Sequence, residues 1–224
     1  MFDRLISLIG EDKFKKLANI KVLIIGIGGV GGYALEALVR SGVKNITIVD
    51  YDKIDESNLN RQVITNFSNI GLSKVLEAEK RAKLINPDVN IVSIDRKVDE
   101  TNLDDILKNN FDFVIDACDT TIVKFELMKK RDLYGYKLIS SMGTAKKLNP
   151  SKLSITTLDK TSYDPLAKKL RYMLRKENVS GKFMVVSSCE EVNVTGNGLV
   201  SVITVPAVAG FYLASYIIND LVNS

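Results

Sequence analysis

The chain has 224 residues, 46% hydrophobic and 26% charged, with a net charge of +4. This composition suits one large α/β domain, or one with an appendage, and excludes disordered and fibrous classes. Histidine is absent and the two cysteines, Cys118 and Cys189, form no CxxC pair, so Ser-His-Asp and Cys-His catalysis and His-ligated metals are excluded.

The N-terminal stretch MFDRLISLIGEDKF carries acids and does not read as a signal peptide. It predicts a helix from Asp3, broken at Gly10 and resumed to Leu17. Lys21–Ile25 is an apolar strand, and Gly26-Ile27-Gly28-Gly29-Val30-Gly31-Gly32 leads into an amphipathic helix over Tyr33–Arg40, closed by Gly42. Strands are expected at Asn45–Asp50, Asn90–Asp95, Asp112–Asp116 and Lys137–Ser141. Between them stand helices over 73–85, with Ser73 as N-cap, over 102–108 and over 121–133. Apolar strands alternating with helices mean a Rossmann-like, mostly parallel sheet covered on both faces.

After Gly143 the pattern changes. Leu153–Leu158 alternates, Asp164–Lys176 is a helix with Pro165 in its first turn, and Met184–Ser187 and Leu199–Thr204 read as strands before a helix over Pro206–Leu221. We therefore expect a single domain over 1–224, with a nucleotide-binding core at 1–145 and an extension of antiparallel strands and helices at 146–224. No apolar run reaches the roughly 20 residues of a membrane helix, so a cytoplasmic protein with free thiols is expected.

The glycine run carries the first chemistry. Gly26 permits a tight turn, Gly28 lets backbone approach phosphates, and Gly31 lets the helix pack on the strand. The helix N-terminus favours an anion, and Asp50 ends the next strand, where an acid bonds ribose hydroxyls. Alone, this favours a dinucleotide dehydrogenase. The polar run Asp50-Tyr51-Asp52, Ser57-Asn58-Leu59-Asn60-Arg61-Gln62 and Gly71-Leu72-Ser73-Lys74 fits better an enzyme that cleaves a nucleoside triphosphate and neutralises its pyrophosphate. Asp116, ending the fourth strand, could hold Mg²⁺ through one carboxylate. Plainer readings stand beside these: Asn58 and Asn60 as turn residues, Lys74 as an exposed helix charge, Asp119 as a helix cap.

GxGGVGG, DxDxxxxSNLNRQ, GxSK and Asp116-Ala117-Cys118-Asp119 resemble the adenylating enzymes related to ubiquitin-activating E1. The resemblance implies that Gly26, Gly28, Gly29 and Gly31 line ATP, Asp50 and Asp52 belong to the nucleotide site, and Asn58, Arg61 and Lys74 contact phosphates, with Gln62 beside them. Asp116 would hold Mg²⁺. Arg4, on the N-terminal helix, takes the place of an arginine that reaches the partner subunit's ATP in that family, which implies a homodimer. Arg61, Lys74, Asp116 and Arg4 would be the catalytic set.

The second half addresses the substrate. On the helix near 164–176, Lys168, Arg171 and Arg175 share a face, Lys169 and Lys176 flank it, and Lys146, Lys147 and Lys152 extend it. Such a face can track a phosphate backbone, although a basic face is more often simply solvated. The stretches 158–176 and 185–190, with Val205-Pro206-Ala207-Val208-Ala209-Gly210, are similar to the superfamily branch that cyclises threonylcarbamoyladenosine in tRNA. That resemblance implies an ATP-dependent ligase-type dehydratase acting on tRNA and leaves room for a sulfur-transfer partner protein. The alternatives are activation of a sulfur-carrier protein's C-terminal carboxylate, which a thioester on Cys189 would support although Glu190 and Glu191 beside it disfavour a thiolate and an incidental role suits it better, and a non-catalytic nucleotide-binding regulator. The short turn at 194–199 is expected to limit tRNA contacts there.

Overall fold

The computed structural model describes residues 1–191 and 200–223; the turn at 194–199 and Leu199 lie outside them. Seven strands form one sheet in the order β3-β2-β1-β4-β5-β7-β6. They are β1 (Lys21–Ile25), β2 (Asn45–Asp50), β3 (Asn90–Asp95), β4 (Phe113–Asp116), β5 (Lys137–Ser141), β6 (Leu153–Thr157) and β7 (Met184–Ser188). All neighbours pair in parallel except β6 with β7. The expected α/β architecture with a late antiparallel pair is therefore present, and β7, parallel to β5, joins that pair to the main sheet.

Strand side chains alternate between two helical layers. Val22, Ile24, Ile46, Ile48 and Ile115 pack with α2 (Glu11–Asn19), α3 (Gly31–Arg40), α4 (Lys74–Ile85) and α8 (Thr204–Val222). Leu23, Ile25, Val49, Val114 and Leu138 pack with α5 (Leu103–Leu107), α6 (Thr121–Tyr134) and α7 (Pro165–Lys176). The N-terminal α1 (Asp3–Ile9) buries no residue fully and is parted from α2 at Gly10, as expected.

Three expectations need correction. Residues 200–203 form neither strand nor helix; only Thr204, the last residue of the expected strand, is regular, and it opens α8, which packs on α3, β5 and β6. α8 is also long and apolar enough to cross a membrane by length and composition. Its apolar length serves the core, however: Val205, Ala209, Leu213, Ala214 and Ile217 are fully buried. Ser73 is the N-cap residue of α4 as expected, but its side chain makes no capping bond and its hydroxyl is buried without a partner.

Candidate functional site

The strand order reverses across β1 and β4, and open α/β sheets bind ligands at the carboxyl ends of such strands. A cavity of about 310 Å³ opens there, walled by the ends of β1, β2 and β4. Local sequence makes the opening possible. Gly26 takes φ +91°, and a Cβ on Gly31 would lie 1.8 Å from the Gly26 carbonyl oxygen, so only glycines let α3 start this close to β1. Gly28 and Gly29, just ahead of α3, line the cavity, so the positive end of the helix faces it.

Asp50 uses both oxygens locally. Its Oδ2 accepts the Ile27 N–H at 2.7 Å and its Oδ1 the Asp52 N–H at 2.9 Å, which ties the glycine loop to the end of β2 and leaves the carboxylate's outer lone pairs on the cavity. Lys74 is buried, and its ammonium meets Asp52 Oδ2 at 2.7 Å. The exposed-charge reading of Lys74 is therefore wrong. Asn58 is buried and closes a capping box with Asp55, so the turn-residue reading is right about its bonding, while its side of the turn lines the cavity. Arg61 donates to the Ser57 carbonyl at 2.7 Å and to Asn60 Oδ1 at 2.9 Å. Gln62 is buried on the wall, and its Oε1 is a buried acceptor with no partner. Gly28, Gly29, Asp50, Asp52, Asn58, Arg61, Gln62 and Lys74 thus meet around one space, with Gly26 at its base. Gly31 supports it from behind, and Arg4, exposed on α1, is not part of its wall.

Asp116 does not fit the role expected of it. It is fully buried, both its oxygens lie 3.0 Å from the ammonium of Lys124, which is also fully buried, and Lys124 donates further to the Ser141 carbonyl at 2.8 Å. A carboxylate so enclosed has no open face for a metal ion. Asp119, on the cavity wall, is exposed, and the Asp52 side chain on the same wall is half-exposed. The cap reading of Asp119 also fails, because Thr120 is the N-cap of α6 and no side chain bonds that end. Arg96 and Tyr51 complete the wall, and sequence reasoning missed both. Arg96 follows β3 at the same sheet edge, and that position was the available signal. Cys118, on the same wall, has its thiol pKa pushed up by burial and by the neighbouring Asp116 charge.

A second cavity of about 330 Å³ shares Gly29, Arg61 and Ala117–Asp119 with the first. Its far wall is the loop after β5 (Ser141–Ala145), Leu166 of α7 and Pro206 of α8. The basic helix α7 thus reaches the site through its apolar face. On its outer face Lys168, Lys169, Arg175 and Lys176 are exposed. Arg171 is not available with them: its guanidinium donates to the carbonyls of Leu158 and Thr161 and to the Thr161 hydroxyl. Lys147 is buried, donating to the Ser188 carbonyl at 3.0 Å, and desolvation lowers its pKa. Neither extends the basic surface as expected. Cys189 is exposed just after β7, and it is not on the wall of either cavity.

Known proteins resemble the whole of this arrangement. A model of the ThiF family matches residues 2–218. A tRNA threonylcarbamoyladenosine dehydratase of Bacillus subtilis (strain 168) is 36% identical over 236 residues, covering 96% of this chain and 92% of that protein. The crystal structure of the E. coli dehydratase of that name in complex with ATP has a TM-score of 0.93 at 31% identity, covering 99% of this chain and 93% of that one. A molybdopterin-synthase adenylyltransferase of Haemophilus influenzae is 36% identical over 129 residues, covering 58% of this chain and 53% of that protein.

Proposed function

The chain belongs to the ThiF family, and from that premise we propose that it uses ATP to adenylate, and thereby dehydrate, threonylcarbamoyladenosine in tRNA. The observation that carries this reading is the extent of the likeness. The dehydratase from Bacillus subtilis matches across 96% of this chain, whereas the molybdopterin-synthase adenylyltransferase matches across 58%. Activation of a carrier protein is therefore the weaker reading.

In the proposed reaction ATP occupies the first cavity and the modified nucleoside's side chain the second. The threonyl carboxylate attacks the α-phosphate, and the α–β phosphoanhydride bond breaks. Pyrophosphate leaves, and the acyl-adenylate remains. The neighbouring carbamoyl group then closes on the acyl carbon and loses a proton, and AMP departs with the carboxylate oxygen. No enzyme nucleophile is needed, since the attacking group sits in the same molecule. Arg61 lies on the wall common to both cavities, suited to charge developing at the α-phosphate. Lys74 would exchange part of its contact with Asp52 for the leaving phosphates.

A Mg²⁺ ion would neutralise phosphate oxygens in the first step. Such an ion is commonly held by one or two carboxylates and the phosphates themselves. Asp119, with Asp52 nearby on the wall, is the donor we assign. The reaction transfers no sulfur, so a sulfur-transfer partner has no step to serve in it. Arg4, exposed on α1, is free to reach a second copy's nucleotide, and a homodimer is the assembly we favour. With a tRNA substrate, the cytoplasm is the compartment we favour.

The test is exchange of labelled pyrophosphate into ATP. We expect exchange with tRNA carrying threonylcarbamoyladenosine and none with tRNA lacking it. Exchange supported by a small ubiquitin-like carrier, and not by modified tRNA, would overturn the proposal.

A further inference from the structure

The acid must be delivered to the nucleotide through the second cavity, so what fixes that cavity's walls matters for the reaction. Two walls come from distant parts of the chain. Gly143 follows β5 in the nucleotide half, and Leu166 opens the basic helix α7. One buried carboxylate joins them. Asp164 accepts the Ala167 N–H on Oδ1 at 2.9 Å and the Gly143 N–H on Oδ2 at 2.8 Å. Capping a helix needs one oxygen, which serine or asparagine supplies equally well. Asp164 uses its second oxygen on the cavity wall, 21 residues away in sequence. The backbone around the tie is held in an uncommon shape. Tyr163, next to Asp164, has φ +51°, and Lys146, at the far end of the wall loop, has φ +62°. Non-glycine residues adopt this region rarely and only where the surroundings enforce it.

We propose that Asp164 is a positioning residue for the acid substrate: its carboxylate holds the Gly143 wall and the first turn of α7 in fixed relation, so that a nucleoside seated against the helix meets the α-phosphate. This rests on the tRNA-dehydratase reading above. Asp164 touches no reacting atom and acts through Gly143 and Leu166.

Asp164→Asn separates this role from capping. The amide oxygen still caps α7, while its NH₂ group is left against the Gly143 N–H, two donors facing each other. With ATP and modified tRNA, we expect kcat for cyclisation to fall about tenfold or more, since small misplacements of reacting groups are costly, with KM for ATP within about twofold of wild type. Amide hydrogen exchange should accelerate at Gly143 and stay slow at Ala167. Asp164→Ser, which also caps, gives the same split if the asparagine variant is poorly folded. An unchanged kcat, or an unchanged Gly143 exchange rate, overturns the proposal alone. A wild-type chain that turns over no modified tRNA overturns the functional reading and this proposal together, before any variant is made.

Discussion

Lys74 and Asp52 meet at 2.7 Å with unequal surroundings: the lysine side chain is 6% exposed and the aspartate 47%. Removing the lysine leaves a carboxylate already in water, so the fold should survive while the cavity loses a fixed cation. We expect Lys74→Met to lower ATP–pyrophosphate exchange by roughly 10²–10³-fold, the usual cost of losing one preorganised charge-stabilising group. Thermal unfolding should barely move; a drop in melting temperature matching the activity loss would contradict the assignment. The thiols differ in the same legible way. Cys118 is held in its neutral form by burial and by Asp116, whereas Cys189 is exposed. An aromatic disulfide reagent should therefore modify one cysteine quickly in the native chain and the second only after denaturation, and peptide mass spectrometry should locate the fast site at Cys189. The glycine loop, Asp50, Arg61 and Lys74 were readable in advance because each needs a particular residue type at a particular strand or helix end. Asp116 and Asp119 were not separable, since both are acids after one strand. What distinguishes them is Lys124, which reaches Asp116 from α6 and leaves Asp119 exposed.

At the scale of elements, α7 carries two kinds of basic residue that look alike in sequence. Arg171 is bonded to the Leu158–Thr161 turn, and Lys168, Lys169, Arg175 and Lys176 are exposed. Arg171→Ala should cost about 1–3 kcal/mol in urea unfolding, the value of hydrogen bonds from a charged group. Replacing the four exposed residues by alanine should leave stability nearly unchanged. It should also weaken tRNA binding and flatten the dependence of log Kd on log salt by roughly 0.7–0.9 for each phosphate no longer neutralised. Equal effects of the two variants on binding would refute the division. A second element-level tie joins α3 to α4, where Glu36 meets both Arg81 and Arg40 at 2.7 Å. Burial raises the Glu36 pKa, but the bonds from Arg81 and Arg40 outweigh it, and the net direction is down. A depressed carboxylate stabilises the fold above its unfolded value, and that contribution is lost as pH falls through the folded one. Glu36→Gln should therefore destabilise the chain near neutrality by about 1 kcal/mol, with the gap to wild type closing at acid pH. Most element boundaries were legible to within two residues because strand runs and glycine breaks mark them. The stretch before α8 was not: Val202 and Ile203 are β-branched and suit a strand by propensity, yet they sit in neither a strand nor the helix, because strand propensity counts only where a pairing partner is present.

Across the whole molecule, the change of pattern after Gly143 divides the sequence without dividing the sheet. β5 pairs with β4 on one side and with β7 on the other, so both cavities stand on one continuous platform. The fastening beneath them is the Lys124–Asp116 pair, which links α6, the end of β4 and, through the Ser141 carbonyl, the end of β5. Nothing in TIVKFELMKKRD distinguishes Lys124 from the surface lysines that follow it, and lysine is seldom fully buried unless paired. Its burial follows from where α6 docks, which is why sequence alone could not find it. Replacing it should be costly in a specific way. Lys124→Met strands a buried carboxylate, and loss of one partner of such a pair costs about 3–5 kcal/mol, whereas removing both charges is often near neutral. The double variant Asp116→Asn with Lys124→Met should therefore be more stable than Lys124→Met alone, by equilibrium urea unfolding. If the pair also sets the spacing of the two cavity walls, the double variant should recover stability without recovering full exchange activity, because the Ser141 carbonyl no longer has its donor. A double variant less stable than the single one would mean that the pair's attraction, rather than the stranded charge, dominates the energetics of this platform.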